Sequence, residues 1–151
     1  MDLKIGTKFP DFSLLDDEHN LFSLKKNFTN KFLLIYFYPK NDTPGCTKQA
    51  CYFRDYKLEF EKYNCDIIGI SSDHTKSHQK FRTKYYLPFK LLSDQDSKLR
   101  KKLKLPKDFF GLTPSRITFV INSKFEILFI FRSSLNMKSH ISSGLKFLRR
   151  I

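Results

Sequence analysis

No apolar run in this chain is long enough to cross a bilayer. The best stretch, Phe32 to Tyr38, is only a buried strand's length, where roughly 18 residues are needed. Cysteine is scarce: there are three, an odd number in a chain too large to depend on disulfide staples. That excludes a secreted disulfide framework and leaves the thiols as buried, metal-binding or reactive groups. Glycine occurs only five times in 151 residues, and no internal repeat, low-complexity tract or linker interrupts the chain. One domain spanning residues 1–151 is expected. The opening Met1-Asp-Leu-Lys-Ile-Gly6 lacks a signal peptide's basic start and long apolar middle. The expected compartment is therefore the cytoplasm, or an organelle stroma or lumen if a transit peptide has been removed.

What is present is enough apolar material, 40% of residues, for a real core. Lys and Arg number 28 against 15 acids, a formal charge of +13, which attracts polyanions. The densest stretch runs from Lys98 to Lys107. Its Leu99 and Leu103 are spaced i, i+4 and predict a short amphipathic helix with a basic outer face. The remaining cations are scattered, with a small cluster at Lys146, Arg149 and Arg150. A solvated surface outweighs a nucleic-acid site. Seventeen Phe, many Lys and few Gly also point to compositional drift.

Strand and helix patterns alternate. Asp11–Leu15 and Leu21–Leu24, separated by the polar Asp16–Asn20, predict an N-terminal hairpin. Phe32–Tyr38 and Asp66–Ser72 are apolar without alternation, as in strands buried on both faces. A helical pattern runs from about Cys46 to Tyr63, with Ala50, Phe53 and Phe60 sharing a face. Asp73 is placed to cap the next helix, which ends before Pro88. Lys90–Ser93 reads as a short edge strand. Arg116–Ile121 and Glu126–Phe131 form a hairpin, and a last helix covers about Met137 to Arg149. This order predicts an α/β domain with a mixed central sheet flanked by helices.

The chemistry concentrates in Tyr36-Phe-Tyr-Pro-Lys-Asn-Asp-Thr-Pro-Gly-Cys-Thr-Lys-Gln-Ala-Cys51. A buried strand ends at Pro39, a loop rich in turn residues follows, and Cys46 opens a helix. Free amides and the positive end of the helix dipole favour an anionic sulfur there. Thr43 can set a hydroxyl beside it. An inert buried cysteine is the common fate of a free thiol and suits Cys65, which precedes an apolar strand.

Pro39-x-x-x-Thr43-x-x-Cys46 resembles the signature of the peroxiredoxins, the cysteine-dependent peroxidases. The second cysteine in Gly45-Cys-Thr-Lys-Gln-Ala-Cys51 is similar to the peroxiredoxin Q, or bacterioferritin comigratory protein, branch. Matching stretches include Gly6–Phe12, Gly69–Asp73, Leu92–Asp94 and Pro114–Ile121, so the resemblance covers nearly the whole chain; Ser134–His140 matches more weakly. The resemblance implies a thioredoxin-like fold with an N-terminal hairpin extension. It implies reduction of hydrogen peroxide and organic hydroperoxides to water or alcohols, without metal or other cofactor. Cys46 would be the peroxidatic cysteine, oxidised to a sulfenic acid, and Cys51 the resolving cysteine that closes a disulfide with it. Thr43 would bond sulfur and peroxide, Pro39 would shield the thiolate, and Arg116 would stabilise the developing negative charge. The amides of Gly45 and Cys46 would complete the oxygen pocket. Thioredoxin or glutaredoxin would restore the dithiol, and the protein would be a monomer.

Three positions depart from the family pattern. Gln49 stands where Glu is usual, which removes a charge beside Arg116. Ser97 and Phe125 occupy turn positions that are often Gly. Helix geometry adds a constraint. Residues five apart on an ideal helix lie roughly 8.6 Å apart at Cα and diverge by about 140°. A disulfide needs roughly 4.4 to 6.8 Å. Cys46 and Cys51 therefore require local unwinding before they can bond.

Competing readings fare less well. A thioredoxin-type oxidoreductase would want Cys-x-x-Cys, which is missing. Cys46-x4-Cys51 with His74-x3-His78 loosely copies zinc spacings, but the interval from Cys51 to His74 is too long for a finger. His74 and His78 read instead as one exposed helical face. A non-enzymatic basic module with a redox-sensitive thiol is the remaining alternative, though no RNP box accompanies the charge.

Overall fold

Every side chain of Phe32–Phe37 (β3) is buried, because the strand has a core on each face. Leu33, Ile35 and Phe37 point into one core and Phe32, Leu34 and Tyr36 into the other, the period-2 alternation of a pleated strand. Around it the computed structural model, which describes residues 1–151, assembles a seven-stranded mixed sheet. Chain order is β1 (Ser13–Asp16), β2 (Leu21–Ser23), α1 (Leu24–Asn27), β3, α2 (Pro44–Asp55), α3 (Lys57–Glu61) and β4 (Cys65–Ser71). Then come α4 (Thr75–Tyr85), β5 (Lys90–Ser93), α5 (Lys98–Lys102), β6 (Lys107–Asp108), β7 (Thr113–Pro114), β8 (Ile117–Asn122), β9 (Ile127–Arg132) and α6 (Met137–Arg150).

The sheet order is β2-β1-β5-β4-β3-β8-β9. β3, β4 and β5 run parallel, while β8 lies antiparallel to β3 and β9 antiparallel to β8. One core packs Phe53, Phe60, Phe81, Ile141, Leu145 and Leu148, from α2, α3, α4 and α6, on the Leu34–Tyr36 face. The other packs Phe9, Phe12, Leu24, Phe28, Leu99 and Leu103 on the Leu33–Phe37 face. Phe53 and Phe60 are fully buried, and each contributes roughly 2 to 3 kcal/mol of apolar burial to seating its helix.

The N-terminal hairpin, the buried strands and the closing helix form as expected. Ser97 and Phe125 do take left-handed backbone, with φ of 55° and 64°. Other expectations are corrected. Lys90–Ser93 is an interior strand, because the N-terminal hairpin adds to its outer side through Leu15↔Ser93 and Asp16↔Leu92. The helix expected to run from Cys46 to Tyr63 breaks at Tyr56, whose φ and ψ of −104° and 11° leave helical space with no Gly or Pro to signal it. Asp73 does not cap α4; its carboxylate accepts bonds from the Ser71 hydroxyl and the Asn41 amide. Nor do His74 and His78 share an exposed face. His78 is wholly buried, with Nδ1 2.9 Å from Asn41 Nδ2 and 3.4 Å from the Tyr38 hydroxyl. Those neighbours satisfy Nδ1, while the buried Nε2 has no partner. The basic helix also has a cation turned inward, Arg100, which is buried.

Candidate active site

Thr43 starts α2 from an extended backbone, and Pro44 occupies the first helical position, where its missing N–H costs nothing. Thr47 is the first residue whose amide finds a backbone acceptor, Thr43 O at 2.9 Å. The amides of Gly45 and Cys46 are left without one, as a helix start dictates. Cys46 thus carries its sulfur beside free donors at the carboxyl end of β3, and it is 1% exposed.

Arg116 meets it from the neighbouring strand, one residue before β8, whose Ile117 pairs with Phe37 at the end of β3. Its Nη1 donates to Cys46 Sγ at 3.1 Å and to Gln49 Oε1 at 3.0 Å. Gln49 therefore fills the supporting place despite its lost charge, although its Nε2 has no partner. Gly45 makes the approach possible. A Cβ there would lie 2.8 Å from Arg116 Nη2 and 2.7 Å from the Met137 methyl at the start of α6. Any larger residue would push the guanidinium away.

Two buried groups that sequence reasoning missed hold Arg116 in place. Arg100 Nη2 donates to Ser115 O at 2.6 Å, with its guanidinium 5.6 Å from the centre of the Phe37 ring. Burial brings its pKa down to about 10. Arg100 reads in the sequence as one more cation of a basic face. His140 bridges Thr118 Oγ1 at 2.8 Å and Ser133 O at 2.7 Å, while the Ser133 amide donates to Arg116 O. Burial lowers its pKa to about 4, so the imidazole is neutral.

The other expected site residues lie nearby without touching the sulfur. Thr43 Oγ1 donates to Lys40 O at 3.0 Å, closing the loop instead of bonding Cys46. Pro39 is half-buried at the head of that loop. Cys51 is half-buried within α2 and shares a shallow surface depression with Thr43, Pro44 and Thr47. Burial pushes its thiol up. Both cysteines are free and both are helical, so the separation that forbids direct bonding holds here. Cys65 lies buried at the opposite end of β4, and no group of three or more His, Cys, Asp or Glu side chains gathers as a metal cluster would require.

Residues 5–130 match the family model described as AhpC/TSA. The chain is 43% identical to the chloroplastic peroxiredoxin Q of Populus jackii over 97% of its own length and 68% of that protein. Among solved structures it is similar to peroxidoxin BcpB of Mycobacterium tuberculosis, with a TM-score of 0.90, 31% identity, and coverage of 99% and 98% of the two chains. It is also similar to the Xanthomonas campestris bacterioferritin comigratory protein, whose structures concern alkyl peroxide reduction. There the TM-score is 0.81 at 28% identity, covering 92% and 90% of the two chains. The mixed sheet and its helices are accordingly a thioredoxin-like fold, and the chain belongs to the AhpC/TSA family, in its peroxiredoxin Q branch, and is a thiol-dependent peroxidase.

Proposed function

We propose that Cys46 is the peroxidatic cysteine and Cys51 the resolving one. The observation that carries this is the Arg116 guanidinium 3.1 Å from Cys46 Sγ, at a helix start with two unpaired amides. Sγ attacks the terminal peroxide oxygen and the O–O bond breaks. The departing alkoxide or hydroxide takes a proton and leaves as alcohol or water, and Cys46 becomes a sulfenic acid. Arg116 and the amides of Gly45 and Cys46 stabilise the charge that develops on the oxygens.

The Thr43 hydroxyl, held by Lys40 O at rest, turns to the peroxide once one is bound, and Pro39 limits water at the sulfur. The first turns of α2 then unwind. Cys51, kept as a thiol by its burial, comes into solvent, ionises and displaces hydroxide from Cys46, closing the disulfide. A thioredoxin-type dithiol reduces it. The alkyl peroxide chemistry of the Xanthomonas relative supports organic hydroperoxides beside hydrogen peroxide as substrates. The working unit is residues 1–151 as a monomer, in the cytoplasm or an organelle stroma.

The test is peroxide consumption coupled to NADPH through thioredoxin and its reductase. Cys46→Ser abolishes turnover; Cys51→Ser allows one turnover and accumulates a trappable sulfenic acid. Mass spectrometry of the oxidised wild type finds Cys46 bonded to Cys51. A Cys46–Cys65 bond, or one only between chains, overturns the assignment.

A further inference from the structure

We propose that the β6–β7 loop and the cationic cavity beside it form a docking surface for an anionic phospholipid bilayer. The loop puts Phe109, Phe110 and Leu112 into solvent together, with Phe110 fully exposed and Leu112 more than four-fifths so. Phe109, Phe110 and Gly111 all have positive φ, at 53°, 58° and 82°. Two phenylalanines held in left-handed backbone with their rings in water are an unfavourable arrangement on two counts, conformation and solvation. Leu135 is exposed nearby, since Ser134 and Arg132 both bond Asp108 at the foot of the loop.

Gly111 and Leu112 also line a cavity of about 360 Å³ whose other walls include Arg100, Lys101, Lys104 and Lys107. No carboxylate lines it. The nearest acids bond other groups, Asp108 to Arg132 and Ser134 and Asp94 to the amides of Leu99 and Arg100, and their charge falls on the buried Arg100 rather than on the lysines. Asp2 reaches Lys104 at 3.3 Å, but both side chains are well exposed and the pair is weak. Arg100 is buried and faces Asp94 and Asp108, so the cations open to solvent here are Lys101, Lys104 and Lys107.

Exposed aromatics beside unneutralised cations fit an interface of acyl chains below anionic headgroups. The charge argues against the other occupants. A second copy would set three exposed lysines against three, on a chain of net charge +13. Nucleic acid would use the lysines but give Leu112 and Leu135 nothing to bury against. Phe109, Phe110 and the three exposed lysines lie outside the cysteine site, so these groups stand independently of the catalytic assignment.

The experiment is co-sedimentation of the full chain with vesicles of phosphatidylcholine alone, or of phosphatidylcholine and phosphatidylglycerol in equal parts. Binding is expected only to the mixed vesicles and is expected to fall as salt screens the lysines. Phe109→Ser with Phe110→Ser, and separately Lys101→Glu with Lys107→Glu, each weaken it by roughly tenfold, leaving turnover of soluble peroxide unchanged. The lysines are exposed side chains, so the second pair decides the matter even if the first misfolds. No binding to the mixed vesicles, or binding indifferent to the lysine pair, overturns the proposal. So does a dimer in sedimentation velocity that the phenylalanine pair abolishes.

Discussion

Cys46 and Cys65 are equally hidden, at 1% and 0% exposure, and they sit at opposite ends of the parallel pair β3–β4. Their surroundings differ in kind. At the carboxyl end a helix begins and an arginine arrives, so the sulfur meets N–H donors from two directions. At the amino end Cys65 opens β4 against Phe32, and its thiol lies 3.5 Å from Asp66 O with no cation beside it as Arg116 stands beside Cys46. Burial, reinforced by the Asp66 carboxylate, pushes it up to about 12. Burial alone therefore says nothing about reactivity; what decides it is whether charge on the sulfur has somewhere to go. Parallel strands supply that at their carboxyl ends, where the following helices start.

The contrast can be tested to breaking point. Cys65→Ser should keep peroxide turnover within about twofold of wild type, whereas Cys46→Ser should lose on the order of 10³-fold or more, as loss of a nucleophile does. Arg116→Ala removes the charged donor at the carboxyl end only. Stopped-flow rates with hydrogen peroxide should fall roughly 10² to 10³-fold, with far-ultraviolet circular dichroism unchanged. A smaller fall would shift the credit to the helix amides.

Acid should separate the two ends next. His140 titrates at about 4 when folded, against 6.5 as its ordinary value, so the unfolded chain binds the extra proton first. Its contribution is complete above pH 6.5 and is lost as pH falls toward 4, at most on the order of 3 kcal/mol. His78, also lowered by burial, adds in the same direction. Both pack near the site, through Ser133 and Asn41. Denaturant unfolding at pH 7 and pH 4.5 measures the loss, and amide exchange should show the Arg116 end opening before the Cys65 end. The mildest change is Gln49→Glu. It removes the unpartnered Nε2 and strengthens the bond from Arg116, so stability should rise by about 1 kcal/mol, read in thermal unfolding.

Much of this arrangement was legible in the residues. Unbroken apolar runs announced β3 and β4, and Thr43-Pro-Gly-Cys46 announced a sulfur at a helix start. Inverted polarity was not legible. Arg100 and His78 look like surface residues by type, and their burial rests on tertiary partners, Ser115 O for one and Asn41 for the other, that satisfy each only in part. The interior place of β5 was hidden for a similar reason, since strand order depends on where the hairpin docks and not on the strand's own pattern. The Thr43 hydroxyl bonds Lys40 O where the motif would turn it to the sulfur, a choice of rotamer that no sequence contains.

The few glycines carry a last consequence, for how such a chain tolerates change. Gly45 and Gly69 sit where a methyl group would collide with Arg116, Met137 or Tyr36, while ten residues other than glycine take positive φ against only two glycines, Gly6 and Gly111. Substitution should therefore be asymmetric. At Ser97 or Phe125, glycine would relieve a backbone penalty of about 1 kcal/mol, set against the greater freedom it gives the unfolded chain. At Gly45 even alanine displaces the guanidinium. Laboratory evolution starting here has room for stabilising changes in the turns, and almost none at the two points where the backbone itself has to be bare.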